Sequence, residues 1–341
     1  MTAATATRTL VRTALRGSLA QIRHVRAVPP GAAEGTVAAV YAASEREFGL
    51  LAPPLALHSP APESLAACWL MLRETLLADG RVSRAAKEAV ATGVSRDNSC
   101  PYCVDVHRAQ VRTLPPDDAA GRLSAWARRG GPRPFPDEDA PEVIGVAVTF
   151  HYLNRMVNVF LRDSPVPPLA PASLRGGMLR AVSRVTRPPA PGAPAPGDSL
   201  GLLPAAPLPP DLAWAAGRPA VAGAFARAAA AADAAGDRSV PEPVRRLVHD
   251  ALADAADGPP DRPGPLRPGP LRAEATADGL PPTLRPAGRL ALLTALASYR
   301  AGPDAVAAFR ACRPGDRPLI ELTSWAAFTA ARRAGARLAL R

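Results

Sequence analysis

The stretch EAVATGVSRDNSCPYCVDVH, residues 88–107, decides how this chain is read. It holds two cysteines, Cys100 and Cys103, with His107 four residues after the second and Glu88 twelve before the first. Around it apolar residues recur with helical spacing and nowhere alternate with period two. SRAAKEAVATGVS, from Ser83, reads as one helix, and NSCPYCVDVHRAQVRTL, from Asn98, as the next. Asn98 or Ser99 is placed to cap the second helix, and Pro101 suits its first turn. On such a helix Cys103 and His107 are neighbours one turn apart, whereas Cys100 lies two turns from the histidine. Cys100 sits where free backbone N–H groups and the helix dipole favour a thiolate. A CxxC at that place can open and close a disulfide without moving the fold. Redox chemistry, a metal site and simple packing are the three uses open to these side chains.

Composition narrows the choice. At 341 residues the chain is long enough for about two domains. It is 48% apolar but only 4% aromatic, so its cores are made of Ala, Leu and Val, which suit closely packed helices. Basic residues exceed acidic ones by eleven, yet Lys87 is the only lysine. Arginine in place of lysine, beside abundant Ala and Pro, reads as coding bias. No aromatic-and-basic stripe or nucleic-acid motif accompanies the charge, so no nucleic-acid partner is expected. Four cysteines, Cys68, Cys100, Cys103 and Cys312, do not make a secreted disulfide scaffold. No apolar run reaches the ~18 residues of a membrane span, so no membrane association is expected and the cytoplasm is the default location. Arg8, Arg12, Arg16, Arg23 and Arg26 precede any acid, in the manner of a transit peptide or interfacial helix. The stripe Leu10, Val11, Leu15, Leu19 and Ile22 favours instead a docked amphipathic helix within residues 1–34.

Further helices are expected over Val37–Phe48, Ser59–Gly80, Asp117–Arg129 and Glu142–Leu161, the last with Phe150, Leu153, Val157 and Phe160 toward the core. Residues 186–210, rich in Pro, Ala and Gly, read as a linker between units at 35–185 and 211–341. The second half repeats the first. RVSRAAKEAVATGVSR from Arg81 aligns with TLRPAGRLALLTALAS from Thr283 at a constant offset of 202, and CPYCVDVHRA then lies over GPDAVAAFRA without a gap. Ala85, Ala89, Thr92, Val104, Arg108 and Ala109 meet identical residues. Glu88, Cys100, Cys103 and His107 meet Leu290, Gly302, Ala305 and Phe309. The helices are kept and the reactive groups are gone, which is hard to explain if the cysteines served packing alone.

The spacing E-x11-C-x-x-C-x3-H of Glu88, Cys100, Cys103 and His107 resembles the active-site signature of the alkylhydroperoxidase D-like proteins of the carboxymuconolactone decarboxylase superfamily. FHYLNRMVNVF, residues 150–160, is similar to the helix that follows the motif in such proteins. The likeness covers about residues 35–165, with the second unit as a degenerate copy. It implies that Cys103 attacks the peroxide, Cys100 resolves the sulfenic acid into a disulfide, and His107 and Glu88 move protons. The chain departs from the best-studied members at Tyr102, which stands where they carry a further relay histidine; tyrosine, with a pKa near ~10, is a poor shuttle at neutral pH. The decarboxylase branch lacks the cysteine pair, so the likeness is closer to the redox branch.

Other readings of the same residues stay open. C-x2-C-x3-H with Glu88 could hold zinc, although three ligands would share one helix. Haem attachment needs His directly after the second Cys, where Val104 stands, and a thioredoxin motif would follow a strand. Cys68 reads as inert core, and Cys312 as incidental. His151 and Tyr152 suit either a pocket wall or a helix surface, and Arg155 either an ion pair or a substrate contact. The expectation is thus an all-α chain of two alkylhydroperoxidase D-like units arranged as a pseudo-dimer, the first active. Its function would be cysteine-based hydroperoxide reduction or thiol–disulfide exchange, without cofactor or metal, using peroxide and an external dithiol or lipoyl-type reductant. Homo-oligomers are implied by the resemblance. The alternative is a non-catalytic redox sensor or interaction protein that keeps the CxxC as a switch.

Overall fold

The computed structural model describes residues 17–165, 177, 193–255 and 276–340. Every regular element among them is helical and none is a strand, so the chain is all-α. In the first half α1 is Gly35–Glu47, α2 Pro62–Leu72, α3 Arg84–Asp97, α4 Pro101–Val111, α5 Ala120–Arg129 and α6 Ala140–Phe160. In the second, α7 is Pro219–Ser239, α8 Glu242–Asp254, α9 Arg285–Ala297, α10 Pro303–Cys312 and α11 Asp316–Ala339. Local chemistry sets the boundaries. Pro62 and Glu63 occupy the first turn of α2, which winds on through a π-turn, Arg73–Leu77, and stops at Ala78. Ser83 caps α3, its Oγ accepting the Ala86 N–H at 3.1 Å.

The core is organised around α6, in which every residue but Asn158 is buried. A helix apolar on all sides demands such cover. It gets it from α3 on one side and from α11 and α2 on others. Small residues permit close approach: a Cβ on Gly335 of α11 would stand 2.4 Å from Val148 Cγ2 of α6, and a Cβ on Gly93 of α3 would stand 2.4 Å from the Ser124 carbonyl oxygen of α5.

The two halves share a plan. α3 packs on α4 and α6, and α9 packs on α10 and α11. α6 lies against α11, and α2 against α7. Thr92 Oγ1 donates to the Glu88 carbonyl at 2.9 Å, and its aligned residue Thr294 donates to the Leu290 carbonyl at 2.7 Å. Leu290, Ala305 and Phe309, which align with Glu88, Cys103 and His107, are buried in the core.

One expectation needs correction. Residues 1–16 of the amphipathic helix lie outside the described residues. From Gly17 the chain forms a five-residue 3-10 turn, Gly17–Gln21, and then runs without helix to Pro29. There its backbone is claimed from outside: Arg23 N–H donates to the Phe160 carbonyl at 2.7 Å, and the Val28 N–H to Ser59 Oγ at 2.8 Å. Leu19 and Ile22 still pack on the core. The described part of the Pro-rich linker is bonded to the first half. The Pro194 carbonyl accepts the Asp79 N–H at 3.0 Å, the Gly197 N–H donates to buried Glu74 at 2.9 Å, and Leu203 is buried. No helix among the described residues is long and apolar enough to cross a membrane.

His58 is fully buried beside Tyr152, with ring centroids 5.6 Å apart. Burial lowers its pKa to about 4, although the Leu55 and Pro54 carbonyls pull the other way. The unfolded chain, with an ordinary pKa of ~6.5, takes up a proton that the folded chain refuses, so stability is lost as pH falls below that value. His151, lowered to about 3 by burial and then by Arg155, adds to the same trend. Urea midpoints should therefore drop between about pH 7 and about pH 5, and His58→Leu should flatten part of that slope. Gly93→Ala should cost about 1–3 kcal/mol in urea denaturation, because the new methyl meets a backbone oxygen that moves only if α3 and α5 part.

Candidate functional site

The α3–α4 hairpin carries all four candidate residues, Glu88, Cys100, Cys103 and His107. Asn98 ends α3, Ser99 takes a left-handed φ of 51°, and Cys100 stands at the N-cap of α4 with its N–H on the Ser95 carbonyl at 3.0 Å. Neither Asn98 nor Ser99 caps α4, as the sequence suggested. The Asn98 side chain turns away to α6, where Nδ2 donates to Asn154 Oδ1 at 3.1 Å and faces His151 Nδ1 at 3.1 Å. Its Oδ1 accepts from Arg155 Nη1 at 3.2 Å, and its carbonyl accepts from Asn158 Nδ2 at 3.1 Å.

This polar junction absorbs residues whose roles the sequence left open. Arg155 is buried, and donates also to the His151 carbonyl at 2.6 Å and to the Ala295 carbonyl of α9 at 3.0 Å. Burial lowers its pKa to about 10 against the pull of Asp97, so it remains a cation at neutral pH. Asn158 also reaches Ser298 Oγ at 3.0 Å. His151 and Arg155 therefore tie the cysteine turn to α6 and to the second half, and Tyr152 bonds Ser324 Oγ across the same interface at 2.8 Å. Asn154 and Asn158 went unnoticed in the sequence. Their signal is spacing: His151, Asn154, Arg155 and Asn158 recur at helical intervals along one side of a mostly apolar helix.

Glu88 and His107 meet across the hairpin. His107 Nδ1 lies 2.6 Å from Glu88 Oε2, and Glu88 Oε1 takes Arg84 Nη2 at 2.7 Å. Burial alone would raise the Glu88 pKa, but Arg84 and then His107 outweigh it and hold the carboxyl below its ordinary value. An ionised Glu88 accepts, so Nδ1 carries the proton and Nε2 is the basic atom. The edge of the ring is packed on Phe150, centroids 4.4 Å apart at 79°.

Cys103 lies one turn before His107 on α4 and is 4% exposed, whereas Cys100 is 0% exposed. The helix start was expected to favour a Cys100 thiolate. Instead burial, followed by the Cys103 side chain, pushes the Cys100 thiol well above its ordinary pKa, and the Cys103 amide opposes them only in part. Tyr102 is buried as well, and burial with the two cysteines raises its pKa, so its hydroxyl stays protonated. All four cysteines are free; Cys68 is buried with its pKa raised by burial, and Cys312 is exposed. Among the described residues no cluster of three or more His, Cys, Asp or Glu is arranged to hold a metal. A cavity of about 710 Å³ opens at the far end of the hairpin, lined by Ser83, Arg84, Lys87 and Leu114 among others, so Arg84 forms both its wall and the outer partner of Glu88.

The chain is 37% identical over 340 aligned positions to alkyl hydroperoxide reductase Rv2159c of Mycobacterium tuberculosis, covering 92% of this chain and 94% of that protein. No family model matches the chain, and no solved structure matches it. Because the likeness to this relative runs through both halves and not only through the CxxC stretch, the chain belongs to the alkylhydroperoxidase D-like family.

Proposed function

We propose that the chain reduces alkyl hydroperoxides with the Cys100–Cys103 pair. The observation that carries the proposal is the buried His107–Glu88 pair at 2.6 Å, one helical turn from Cys103. Glu88 fixes the imidazole with Nε2 free to take the Cys103 proton. The Cys103 thiolate attacks the outer peroxide oxygen, the O–O bond breaks, and the leaving alkoxide takes a proton to become the alcohol. Cys103 is then a sulfenic acid. Cys100, protonated until this point, displaces its hydroxyl as water and closes the disulfide. An external dithiol returns two electrons and two protons and restores both thiols. The relative's name, alkyl hydroperoxide reductase, supports the same reading.

The second half is, in this proposal, the spent copy of a duplicated unit, with Leu290 and Phe309 standing where Glu88 and His107 act. A redox sensor is the second reading, and Tyr102 favours it: with its hydroxyl locked in the protonated form, Cys103 has one relay histidine rather than two. Turnover separates them, because a sensor consumes one equivalent of peroxide while a reductase cycles with dihydrolipoamide.

Cys100→Ser should trap a sulfenic acid on Cys103, detected by dimedone labelling and peptide mass spectrometry. His107→Ala should slow that oxidation by about 10²-fold or more, the scale of a lost general base. Should Cys100 prove the first thiol oxidised, or His107→Ala leave the rate unchanged, the assigned roles are wrong. Asn98→Ala should leave sulfenic acid formation near the wild-type rate but slow disulfide closure, seen as accumulation of sulfenic and then sulfinic acid on Cys103. It frees the turn that aims Cys100 while sparing the His107–Glu88 pair.

A further inference from the structure

In the proposed cycle negative charge develops on the oxygen that leaves as alkoxide, and in a buried site such charge needs a hydrogen-bond donor aimed at it. Most donors around the cysteine turn are already committed. The Asn98 amide is bonded to Asn154, and Arg155 to Asn98, the His151 carbonyl and the Ala295 carbonyl. The Cys103 amide is bonded to Cys100, Arg84 to Glu88, and Gln110 has other interactions. Tyr102 stands apart. Of the four tyrosines, Tyr299 is exposed and the other three are buried. Tyr41 Oη donates to the Val28 carbonyl at 3.0 Å, and Tyr152 Oη is 2.8 Å from Ser324 Oγ. The Tyr102 hydroxyl has no hydrogen-bond partner among the described residues. A buried phenol ordinarily finds one.

Its place joins it to the reacting sulfurs. Tyr102 sits in the first turn of α4, between Cys100 at the N-cap and Cys103, and is 6% exposed. After burial, Cys103 and then Cys100 hold its proton on, so the hydroxyl is within electrostatic reach of both. The aligned residue of the second half is the exposed Asp304, so at this position a buried phenol is found only in the half that carries the cysteine pair. We infer that Tyr102 is a catalytic residue whose hydroxyl binds the hydroperoxide and donates a hydrogen bond to the oxygen that leaves as alkoxide. The inference rests on the function proposed above. As the Cys103 sulfur bonds to the outer oxygen, the O–O bond breaks and its electron pair passes to the inner oxygen. Tyr102 holds that oxygen while His107 Nε2 gives it the proton taken from Cys103, and the alcohol leaves. Tyr102 keeps its own proton throughout, so the property that makes it a poor shuttle makes it a steady donor. Such help grows with the basicity of the leaving oxygen. It is large for an alkoxide and small for the carboxylate that a peracid expels, which fits the site to alkyl hydroperoxides.

The test uses the full chain in a Cys100→Ser background, where oxidation stops at the Cys103 sulfenic acid and is followed by dimedone labelling. Tyr102→Phe keeps the ring and removes only the hydroxyl. It should slow Cys103 oxidation by tert-butyl hydroperoxide about 10²-fold, the scale of a lost oxyanion donor, and leave oxidation by peracetic acid near its original rate. Alkylation of Cys103 by iodoacetamide, which expels no oxygen, should also be unchanged. The urea midpoint should hold or rise, because the lost hydroxyl had no partner within the protein. Equal effects on the two oxidants, or none on either, would overturn the inference. So would slowed alkylation, which would place the effect on the thiolate, or a fallen urea midpoint, which would mean that the hydroxyl is already bonded inside the protein. A parent chain that is alkylated at Cys103 but oxidised by neither peroxide would instead overturn the proposed function.

Discussion

Arg155 is the contact on which the site depends. A cation buried this deeply is costly unless its donors are met by fixed acceptors, and removing one partner of such a group typically leaves several kcal/mol unpaid. Here the acceptors are the Asn98 side chain, the His151 carbonyl and the Ala295 carbonyl. They belong to the cysteine turn, to α6 and to the second half. One guanidinium therefore fixes three parts of the molecule against each other. It also explains how Ser99 is held at a φ of 51°, which a non-glycine residue adopts only when its surroundings impose it. Asn98 on one side and the Cys100 N–H on the Ser95 carbonyl on the other leave the chain no other route.

With the turn fixed, the environment makes two chemically identical thiols different. Cys100 is sealed in and held protonated by burial, a poor first nucleophile but a competent second one once an adjacent sulfur becomes electrophilic. Cys103 is on the same stripe as His107 and keeps a small opening. The buried carboxylate behind the histidine stays charged because the Arg84 cation outside and the His107 N–H inside share the cost of its burial. Losing either would leave Glu88 half-compensated, so Arg84, in the cavity wall, belongs with the candidate residues. That outer arginine was not legible as part of the site, although it lies one turn before Glu88 on the same helix.

The legible parts of the sequence were those written in short-range spacing. Helices α2 to α6 follow from apolar periodicity and from Pro62, Ser83 and Pro101 at their starts. Glu88 and His107 were joined in the sequence only by the resemblance, which made both movers of protons; that they touch depends on how the hairpin closes. The illegible parts depend on distant partners. Asn98 looked like a cap because its helix N-terminus was local and visible, but α6 offered Asn154, His151 and Arg155, and a buried amide goes where it is most fully bonded. The first-turn position of Cys100 promised a low pKa, since a dipole worth at most ~1 kcal/mol is easy to see in sequence while burial is not. Residues 17–34 carry a helical stripe, yet tertiary hydrogen bonds to Phe160 and Ser59 take their backbone instead.

Taking the halves as copies, the substitutions between them follow one rule. Well-packed apolar groups of similar volume can stabilise as well as a buried ion pair or better, so a pair that does no chemistry can be replaced without loss. Leu290 and Phe309 fill the places of Glu88 and His107 and are 0% and 1% exposed. The backbone bond that Thr92 makes to Glu88 survives unchanged between Thr294 and Leu290, so the helix was kept while its charge was shed. At the surface, Arg310 contacts Asp316 and the N-terminal segment, whereas its aligned residue Arg108 has no acid partner among the described residues. In the first half the buried charge is met by fixed partners, among them the Ala295 carbonyl of the second half, which braces Arg155.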